Sequence, residues 1–500
     1  MEGILAFDLG TSGVKCSLFG MDGTPLAAKY GQYRTHFDGK MHEQAPADWL
    51  NSIIEATKAL TCEHPEIEVQ AVGVSGHSLG AIPIDRSGTL LAQRVPIWSD
   101  ARADAQADAF FRLIDERSWY ETTGNGFPRS RYALFKIMWY REHQPALYEK
   151  AAQFIGTKDY INLFLTGQVG TDPSYASGSG AYDLKNGCYR ADYAAAAGIG
   201  LEKLPQIIPS AGVVGKVTEQ AAKHLGIPSG IPVACGGVDN ACMTLGAGCW
   251  QNGEAYASLG SSAWITASVD RPVVDYESRI YTFAHCVPGQ YLPGVGIFAS
   301  GSALAWAADT FFPNLTGADR FDRLGELAAK APAGANGVLF NPCLAGGSSF
   351  DKSPNIRGAL FYLDLQNTPN DIARAAFEGI ALHLRLAAQA LERTGVLGEQ
   401  LLVVGGGAKG SFARQVYADV FNRRIAVSRV RQDAASLGAA ALAAVSCGAW
   451  CDFTPIRKAH GNPDVTCPNK DNAQCYDTIL PVYKHLSDAC SDLSDELNAL

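Results

Sequence analysis

The chain has 500 residues, of which 47% are hydrophobic and 18% are charged, and its formal net charge is -9. This length exceeds what one hydrophobic core usually serves, so two large domains are expected, and the composition excludes a disordered chain. The acidic balance argues against nucleic acid as a partner, because nucleic-acid binders concentrate Lys and Arg.

The sequence lacks the segments that direct a protein to a membrane or out of the cell. The sequence has no run of about 18 apolar residues, and it begins with a strand-like segment instead of a basic leader. We therefore expect a cytoplasmic protein that does not associate with a membrane. Its 13 cysteines are scattered, and the pair in CGAWC at 447–451 has no second pair at zinc spacing. Reduced thiols are expected, and no metal held by cysteine.

The first predicted element is a hairpin around the glycine-rich turn of FDLGTSGVKCSLF, near the N-terminus. Apolar residues on both sides of the turn predict two strands. Gly10 and Gly13 allow another group to approach the main chain, and Thr11 and Ser12 add hydroxyl donors, so the turn can hold an anion. Asp8 would repel a bare phosphate but suits one that arrives with Mg²⁺. A plain hairpin turn capped by the aspartate explains this stretch equally well.

A second stretch, ASLGSSAWITASV at 257–269, repeats this arrangement. Gly260, Ser261 and Ser262 take the places of the glycine, threonine and serine of the first turn. Ser258 takes the place of the aspartate, and one carboxylate suffices to orient one hydrated metal ion. Because the two turns are 250 residues apart in a chain of 500, they predict two related domains that share a cleft.

Strand-like segments alternate with amphipathic helices along the chain. The strands are predicted at 4–8, 14–19, 71–75, 231–235 and 401–405. A helix is predicted near 370–392, where apolar residues recur at helical spacing from Phe377 to Leu391. This is α/β order, which we divide into domains at 1–244 and 245–500.

A third glycine-rich segment, residues 401–421, runs from an apolar strand into glycines and then into a helix. Gly405, Gly407 and Gly410 formally match the G-x-G-x-x-G dinucleotide fingerprint, but no clear βαβ unit ending in an acid accompanies them. A glycine turn at a helix start can equally hold an adenosine, because a flat base can lie against bare main chain. No Walker A motif is present, so any use of ATP requires another architecture.

Eight segments, in order, resemble the FGGY carbohydrate kinases of the actin-like, ribonuclease-H-like ATPase superfamily, and among these the xylulokinases most. They are FDLGTSGVK (7–15), PIWSDAR (96–102), KIMW (136–139), KDYINLFLTG (158–167), TDPSYAS (171–177), GGVDNA (236–241), SLGSS (258–262) and GGGAKGSFARQVYADVF (405–421). The resemblance covers nearly the whole chain. It implies an α/β fold of two actin-like (ribonuclease-H-like) ATPase domains with a catalytic cleft between them.

The same resemblance implies an ATP-dependent sugar kinase that phosphorylates the terminal hydroxyl of an open-chain pentulose, in the first place D-xylulose to D-xylulose 5-phosphate. ATP and Mg²⁺ are the implied cofactors, a small sugar is the partner, and a homodimer is left open. In the family the aspartate of the GGVDNA segment is the catalytic base, so that role passes to Asp239. The chemistry agrees, since a sugar hydroxyl is a poor nucleophile until a carboxylate accepts its proton. Without the resemblance, Asp239 would be interpreted as a helix cap.

The remaining site residues also follow from the resemblance. Sugar contacts are expected from His77, Ser78, Trp98, Asp239 and Asn240. Nucleotide contacts are expected from Gly10, Thr11, Ser12, Lys15, Gly260, Ser261, Ser262, Trp306, Gly405, Gly406 and Gly407. Asp8 is the expected metal ligand.

Departures from the family pattern keep other substrates open. In SGHSLG, His77 stands at the xylulokinases' Gln and Leu79 at their His, while GGSSFDKSP at 346–354 replaces their Gly-Glu-Arg-x-Pro segment. Tyr362 stands where a glycine is usual. The acceptor can therefore be another ketose, a polyol or an aldonate such as gluconate. An isolated histidine in an apolar strand is also more often a core residue than a ligand.

A different class of protein also remains open. An actin-like or chaperone-like ATPase would keep the three glycine-rich sites and use hydrolysis to switch partners. Such a protein has no need of the Asp239-Asn240 pair or of the TDPSYAS segment, so both favour a kinase.

Overall fold

A computed structural model describes residues 1–427, 430 and 433–500 of the chain. Strands and helices of the first half alternate up to a helix that begins at Asp239. The strands are β1 (Glu2–Leu9), β2 (Gly13–Gly20), β3 (Pro25–Gln32), β4 (His36–Asp38), β5 (Met41–Gln44), β6 (Glu68–Gly76), β7 (Ile82–Ile84), β8 (Val95–Pro96), β9 (Gln153–Ile155), β10 (Tyr182–Asp183), β11 (Cys188–Tyr189), β12 (Val213–Lys216), β13 (Pro232–Ala234) and β14 (Gly237–Val238). The helices are α1 (Pro46–Glu63), α2 (Asp104–Phe111), α3 (Glu116–Thr123), α4 (Ala133–His143), α5 (Pro145–Lys150), α6 (Thr157–Thr166), α7 (Pro173–Ala176), α8 (Ala191–Ala196), α9 (Glu219–Leu225) and α10 (Asp239–Gly246).

The second half has longer helices and fewer strands. Its strands are β15 (Ala255–Leu259), β16 (Ala263–Ala267), β17 (Tyr281–Ala284), β18 (Tyr291–Ile297), β19 (Leu339–Asn341), β20 (Ala359–Phe361), β21 (Gln400–Val404), β22 (Arg424–Val427) and β23 (Asp464–Thr466). Its helices are α11 (Gly301–Phe311), α12 (Arg320–Ala328), α13 (Pro369–Arg393), α14 (Ser411–Phe421), α15 (Ala434–Ser446), α16 (Pro455–His460) and α17 (Lys470–Asn498). No helix in the described part of the chain is both long enough and apolar enough to span a membrane.

Each half is built on a seven-stranded mixed sheet, and five neighbouring strands follow the same topology in both sheets. The first sheet has the order β12-β13-β6-β1-β2-β3 with β14 also on β6, and the second has the order β17-β18-β16-β15-β21-β22-β23. In the first sheet, three antiparallel strands (β1 to β3) continue into the parallel strands β6 and β13. In the second, β15, β16 and β18 continue into β21 and β22 in the same way. This repeated topology confirms the predicted pair of related α/β domains.

Most predicted elements lie where the sequence pattern indicated. The strands predicted at 4–8, 14–19 and 71–75 fall within β1, β2 and β6. Those predicted at 231–235 and 401–405 overlap β13 and β21, and the helix predicted near 370–392 lies within α13. Strand β1 reads as a continuous apolar run because Ile4 to Phe7 are buried on both faces of the sheet. Strands β21 and β22 are parallel and α14 connects them, so they form a βαβ unit, but β22 contains no acidic residue that would complete the dinucleotide fingerprint.

Helix α15 belongs to the second half in sequence but packs on the first sheet. A Cβ atom on Gly73 of β6 would lie 2.0 Å from the backbone oxygen of Ala439, so the helix can approach the strand only because that residue is glycine. A glycine also allows the close contact between α15 and α10, because a Cβ on Gly438 would lie 1.9 Å from the backbone oxygen of Cys242. Helices α10 and α15, one from each half of the chain, therefore pack directly against each other.

Candidate active site

The carboxyl ends of β1, β6 and β14 meet at one edge of the first sheet. Ser75 of β6 pairs with Asp8 of β1 on one side and with Gly237 of β14 on the other. Asp239 follows β14 directly and is the first residue of α10. Both acids consequently stand at the edge where parallel sheets bind their ligands.

The environment of Asp239 favours its protonated form. The side chain is half-buried, and its Oδ1 accepts a hydrogen bond from the Asn240 N–H at 2.7 Å. Burial, and after it the negative charge of Asp8, raise the pKa of Asp239 to about 7. A carboxylate that titrates near neutral pH can accept a proton and release it again under working conditions.

Asp8 is held in place by its neighbours in the sheet. Ser75 Oγ donates a hydrogen bond to Asp8 Oδ1 at 2.9 Å, and Lys15 is its partner in the β1–β2 register. Burial raises the pKa of Asp8, while the hydrogen bond from Ser75 and the charge of Lys15 oppose the increase. The Lys15 ammonium itself forms an ion pair with Asp433, next to α15.

A cavity of about 680 Å³ opens at this edge and is lined by both halves of the chain. Six of the predicted site residues line it, namely Thr11, Ser78, Trp98, Asp239, Asn240 and Ser262. The segment at 346–354, which departs from the family pattern, contributes several lining residues between Gly347 and Pro354.

The loops that carry Ser78 and Trp98 are tied together by Lys136, the lysine of the KIMW segment. Its buried ammonium donates to the backbone oxygens of Leu79 at 2.8 Å and Ile97 at 2.7 Å. Burial lowers the pKa of Lys136 to about 7. Leu79 adopts a left-handed backbone conformation, with φ of 62°, which places the loop in a tight bend. Lys136 therefore positions two of the predicted sugar-binding residues without lining the cavity itself.

His77 lies in the core and not in the lining of the cavity. It is 1% exposed, its Nδ1 is 3.2 Å from Thr157 Oγ1, and its ring meets Trp49 edge-on at 5.7 Å between centroids. Burial lowers its pKa to about 4. The expectation that His77 contacts the sugar is therefore corrected: the packing interpretation, which the sequence left open, describes this residue better.

The first glycine-rich turn is a hairpin turn, as predicted, and is braced from outside. The Gly10 N–H donates to the backbone oxygen of Gly13 at 3.0 Å. Trp98 Nε1 donates to Thr11 Oγ1 at 2.9 Å, and Gln44 Nε2 donates to the Thr11 backbone oxygen at 2.7 Å. Ser12 is exposed at the tip of the turn.

The second turn closes β15 and β16 and rests on a helix. The Gly260 N–H donates to the Ser262 backbone oxygen at 2.9 Å, and Ser302 of α11 donates to the Ser261 backbone oxygen through its N–H at 3.1 Å. Trp306 of the same helix is 42% exposed and stacks on Phe340 with 6.3 Å between centroids.

The third glycine-rich segment meets this second turn. Gly405 has a φ of 95°, and a Cβ on it would lie 2.5 Å from the backbone oxygen of Leu259, so this close approach requires glycine. A Cβ on Gly407 would lie 2.8 Å from Leu259 Cβ, whereas the Cβ position of Gly406 has no neighbour within 4 Å among the residues described. The structure thus groups the predicted nucleotide residues of the second half around one turn.

Two of the segments that resemble the family pattern, TDPSYAS and KDYINLFLTG, form a buried network next to the site. Asp172 of the TDPSYAS segment accepts hydrogen bonds from Ser174 Oγ at 2.5 Å and Ser210 Oγ at 2.8 Å, and forms an ion pair with Lys158 at 3.2 Å. Ser174 Oγ in turn accepts a hydrogen bond from the Val238 N–H at 2.9 Å. This buried network fixes the strand that immediately precedes the proposed base.

Charged residues in the PRSR segment and its surroundings were missed by the sequence analysis, since no motif marks them. Glu116 accepts hydrogen bonds from Arg129 at 3.3 Å and from Arg279 at 2.8 Å. The Arg131 guanidinium lies 5.6 Å from the Trp98 ring centroid and 5.8 Å from that of Phe298, and both rings line the cavity. Burial lowers the pKa of Arg131, and no described residue forms an ion pair or side-chain hydrogen bond with it.

Two family models match the chain in succession. One describes the N-terminal domain of the FGGY family of carbohydrate kinases and matches residues 3–246. The other describes the C-terminal domain of the same family and matches residues 255–447.

Individual proteins match over their full length. A xylulose kinase from Staphylococcus epidermidis is 30% identical over 501 residues, which cover 99% of this chain and 98% of that protein. The crystal structure of a ligand-bound xylulose kinase from Lactobacillus acidophilus has a TM-score of 0.91 at 25% identity, covering 99% of this chain and 100% of its own. A gluconate kinase from the same organism also has a TM-score of 0.91 at 25% identity, with 99% of both chains covered.

Proposed function

This chain belongs to the FGGY family of carbohydrate kinases, and from that premise we propose that it transfers the γ-phosphoryl group of ATP to the terminal hydroxyl of an open-chain pentulose, D-xylulose. The observation that carries the proposal is a half-buried aspartate, Asp239, whose pKa is raised to about 7 on the wall of a cavity shared by both halves. The similarity to xylulose kinases supports the choice of acceptor. The product is D-xylulose 5-phosphate.

In this proposal Asp239 is the general base. As the sugar oxygen forms its bond to the γ-phosphorus, the hydroxyl proton passes to Asp239, the bond to the bridging oxygen breaks, and ADP leaves. Phosphoryl transfer depends mainly on positioning and charge neutralisation, so one well-placed carboxylate is sufficient for the proton. General-base assistance of this kind contributes about 10²–10⁴-fold to the rate.

Ser78, Trp98 and Asn240 are the proposed sugar contacts because they line the cavity beside Asp239. Asn240 Oδ1 is buried without a hydrogen-bond partner among the described residues. Buried polar atoms are nearly always satisfied, so a sugar hydroxyl that donates to this oxygen would complete its hydrogen bonding.

We assign the nucleotide to the second half, between the turn at 260–262, Trp306 and the glycines at 405–407, with its phosphates directed toward the turn at 10–12 and Lys15. Asp8 fits a divalent cation, since a half-buried carboxylate fixed by Ser75 is the hard oxygen ligand that Mg²⁺ prefers. Bound there, Mg²⁺ would supply neutralisation of the phosphate charge.

An acceptor panel tests the proposal. ADP release is measured by a coupled assay with D-xylulose, D-ribulose, a hexulose, a pentitol and gluconate, each with ATP and Mg²⁺. We expect D-xylulose to give the highest kcat/KM, by at least about tenfold. ADP release that is independent of every acceptor would contradict the proposal and support the ATPase alternative.

One observation favours a second candidate, an aldonate kinase. Arg131 carries a charge near the cavity without an anionic partner among the described residues, and an acceptor carboxylate would supply one. A gluconate kinase is also among the similar structures. If the acceptor is an aldonate, Arg131→Leu should lower kcat/KM for gluconate by about 100-fold or more, since it removes a charge-assisted hydrogen bond. A panel in which gluconate is inactive excludes this candidate.

A further inference from the structure

Outside the proposed catalytic centre, three side chains of different chemistry converge. Cys343 follows β19, His383 lies on α13, and Asp351 belongs to the 346–354 segment at the cavity. The Cys343 Sγ is 3.1 Å from His383 Nε2, which is 3.4 Å from Asp351 Oδ1. All three ligand atoms lie within 4.8 Å of one another.

These spacings match the edges of a tetrahedral coordination shell. With Zn–S of about 2.3 Å and Zn–N and Zn–O of about 2.0–2.1 Å, tetrahedral geometry places S and N about 3.5 Å apart and N and O about 3.3 Å apart. The observed distances of 3.1 Å and 3.4 Å need adjustments of only a few tenths of an ångström.

The hydrogen bonds of Asp351 also leave one of its two carboxylate oxygens available to bind a cation. Its Oδ2 accepts from the Ser348 N–H at 2.7 Å and from Ser348 Oγ at 3.3 Å, which fixes the carboxylate. Its Oδ1 is buried without a hydrogen-bond partner among the described residues, although the Asp351 side chain is only 1% exposed. A buried carboxylate oxygen in this state is costly unless a cation completes it.

We propose that Cys343, Asp351 and His383 form a site for a divalent transition metal of the Zn²⁺ type, with a fourth position left for water. A thiolate and a carboxylate would neutralise the ion's two charges, which suits a buried site. The sulfur and imidazole donors favour Zn²⁺ over Mg²⁺, which takes oxygen ligands in octahedral geometry. The sequence analysis did not identify this site because successive ligands are 8 and 32 positions apart, which matches no known zinc-binding motif.

The site would connect the 346–354 segment to the core of the second half. Asp351 and its partner Ser348 both line the cavity, while His383 is 2% exposed within α13 and packs against Phe350 at 5.0 Å between ring centroids. His383 Nδ1 has no acceptor among the described residues. A ligating histidine usually donates its second N–H to such an acceptor, and its absence weakens metal affinity by about 10- to 100-fold.

Metal titration of the untagged, chelator-stripped protein tests the proposal. Co²⁺ reports thiolate ligation through a near-ultraviolet charge-transfer band, and a chromophoric chelator that competes for Zn²⁺ gives the affinity. We expect one equivalent of metal to bind, and to bind more tightly as pH rises, because a cysteine must lose its proton to bind the metal. Mg²⁺ at millimolar concentration should not displace it.

Variants identify the ligands. Cys343→Ala should abolish the cobalt band, and Asp351→Asn, which keeps an acceptor for Ser348, should weaken Zn²⁺ binding by at least about 100-fold. Cys249→Ala, at another buried cysteine, is the matched control and should bind as the wild type does. Circular dichroism of the metal-free variants establishes that they fold, and if Cys343→Ala does not, Asp351→Asn carries the test alone. Absence of a saturable band, or wild-type affinity in Asp351→Asn, would overturn the proposal.

Discussion

Two aspartates at one sheet edge show how the surroundings of a side chain set its chemistry. Asp8 and Asp239 are both half-buried, and burial raises the pKa of each. Ser75 and Lys15 stabilise the charge of Asp8, whereas Asp239 has a single backbone hydrogen bond and feels the charge of Asp8. The two carboxylates therefore suit different roles, one holding a cation and one accepting a proton.

The pKa of Asp239 predicts the pH profile. A general base acts only when deprotonated, so kcat/KM for D-xylulose should fall as pH decreases through about 7, approaching a tenfold loss for each further unit. This parameter reports the free enzyme, in which Asp8 still raises the pKa of Asp239. In Asp8→Ala the inflection should therefore move to lower pH. A flat profile between pH 5.5 and 8 would contradict the assignment of Asp239 as the base.

The proposed metal role of Asp8 predicts a changed response to Mg²⁺. Asp8→Ala removes a hard oxygen ligand, so the Mg²⁺ concentration for half-maximal activity should rise by about tenfold or more, while KM for the sugar stays within about twofold. Ser75→Ala is the matched control because it removes the hydrogen bond to Asp8 but keeps the carboxylate. Coincident Mg²⁺ titration curves for the Asp8 variant and the wild type would show that another group holds the cation.

At the scale of the elements, several of the segments that resemble the family pattern hold other segments in place. Asp172 and Ser174 hold the strand before Asp239, and Lys136 joins the loops that carry Ser78 and Trp98. The sequence analysis identified these segments as matches to the family pattern. It did not identify their contacts, because each contact joins residues that are far apart in the chain.

Lys136 should therefore affect sugar binding from outside the cavity. Lys136→Met keeps the unbranched apolar stem of the side chain but leaves the Leu79 and Ile97 oxygens without their donor. KM for the sugar should therefore rise by about tenfold while KM for ATP changes by less than about twofold. Lys150→Met, at an exposed lysine, is the control. Equal increases in both KM values would indicate general destabilisation instead of a positioning role.

The local sequence pattern predicted the main strands of both sheets, and it predicted some of the residues that line the cavity. The strands of β1 and β6 and the helix α13 were predictable because buried apolar runs and helical periodicity are local properties. The βαβ unit around α14 and the approach of Arg131 to the Trp98 and Phe298 rings were not, because they depend on which segments pack together. The core position of His77 was one of the two interpretations that the sequence left open. Tyr362, where a glycine is usual, adopts a left-handed backbone conformation with φ of 67°, which is the region that favours glycine.

At the scale of the molecule, the two halves meet through α10 and α15, with the cavity beside their junction. The family models change from the N-terminal to the C-terminal domain between residues 246 and 255, and we propose a boundary at 244–245, just before the end of the first match. Helix α15 nevertheless packs on the first sheet, so the second half of the chain contributes a helix to the core of the first.

The close contact of α10 and α15 predicts a strong effect of one methyl group. In Gly438→Ala the added Cβ would lie 1.9 Å from the Cys242 backbone oxygen, and the helices must separate, at a cost of about 1–3 kcal/mol. The entropy of unfolding of 500 residues is about 1 kcal/mol/K, so the thermal midpoint should fall by about 1–3 °C. Gly398→Ala, whose Cβ would lie 3.4 Å from its nearest neighbour, should change it by less than about 1 °C. An unchanged midpoint in Gly438→Ala would mean that the helices are not packed as closely as described.

The central claim is that Asp239 acts as the general base. The most direct test is to measure, for Asp239→Asn, both the turnover with D-xylulose and the affinity for ATP. The amide preserves the size of the side chain and still accepts a hydrogen bond, but it cannot take the sugar's proton. We predict that kcat falls by at least about 100-fold while the Kd for ATP stays within about twofold of wild type. Turnover within about threefold of wild type, at unchanged ATP affinity, would contradict the role assigned to Asp239 and with it the proposed mechanism.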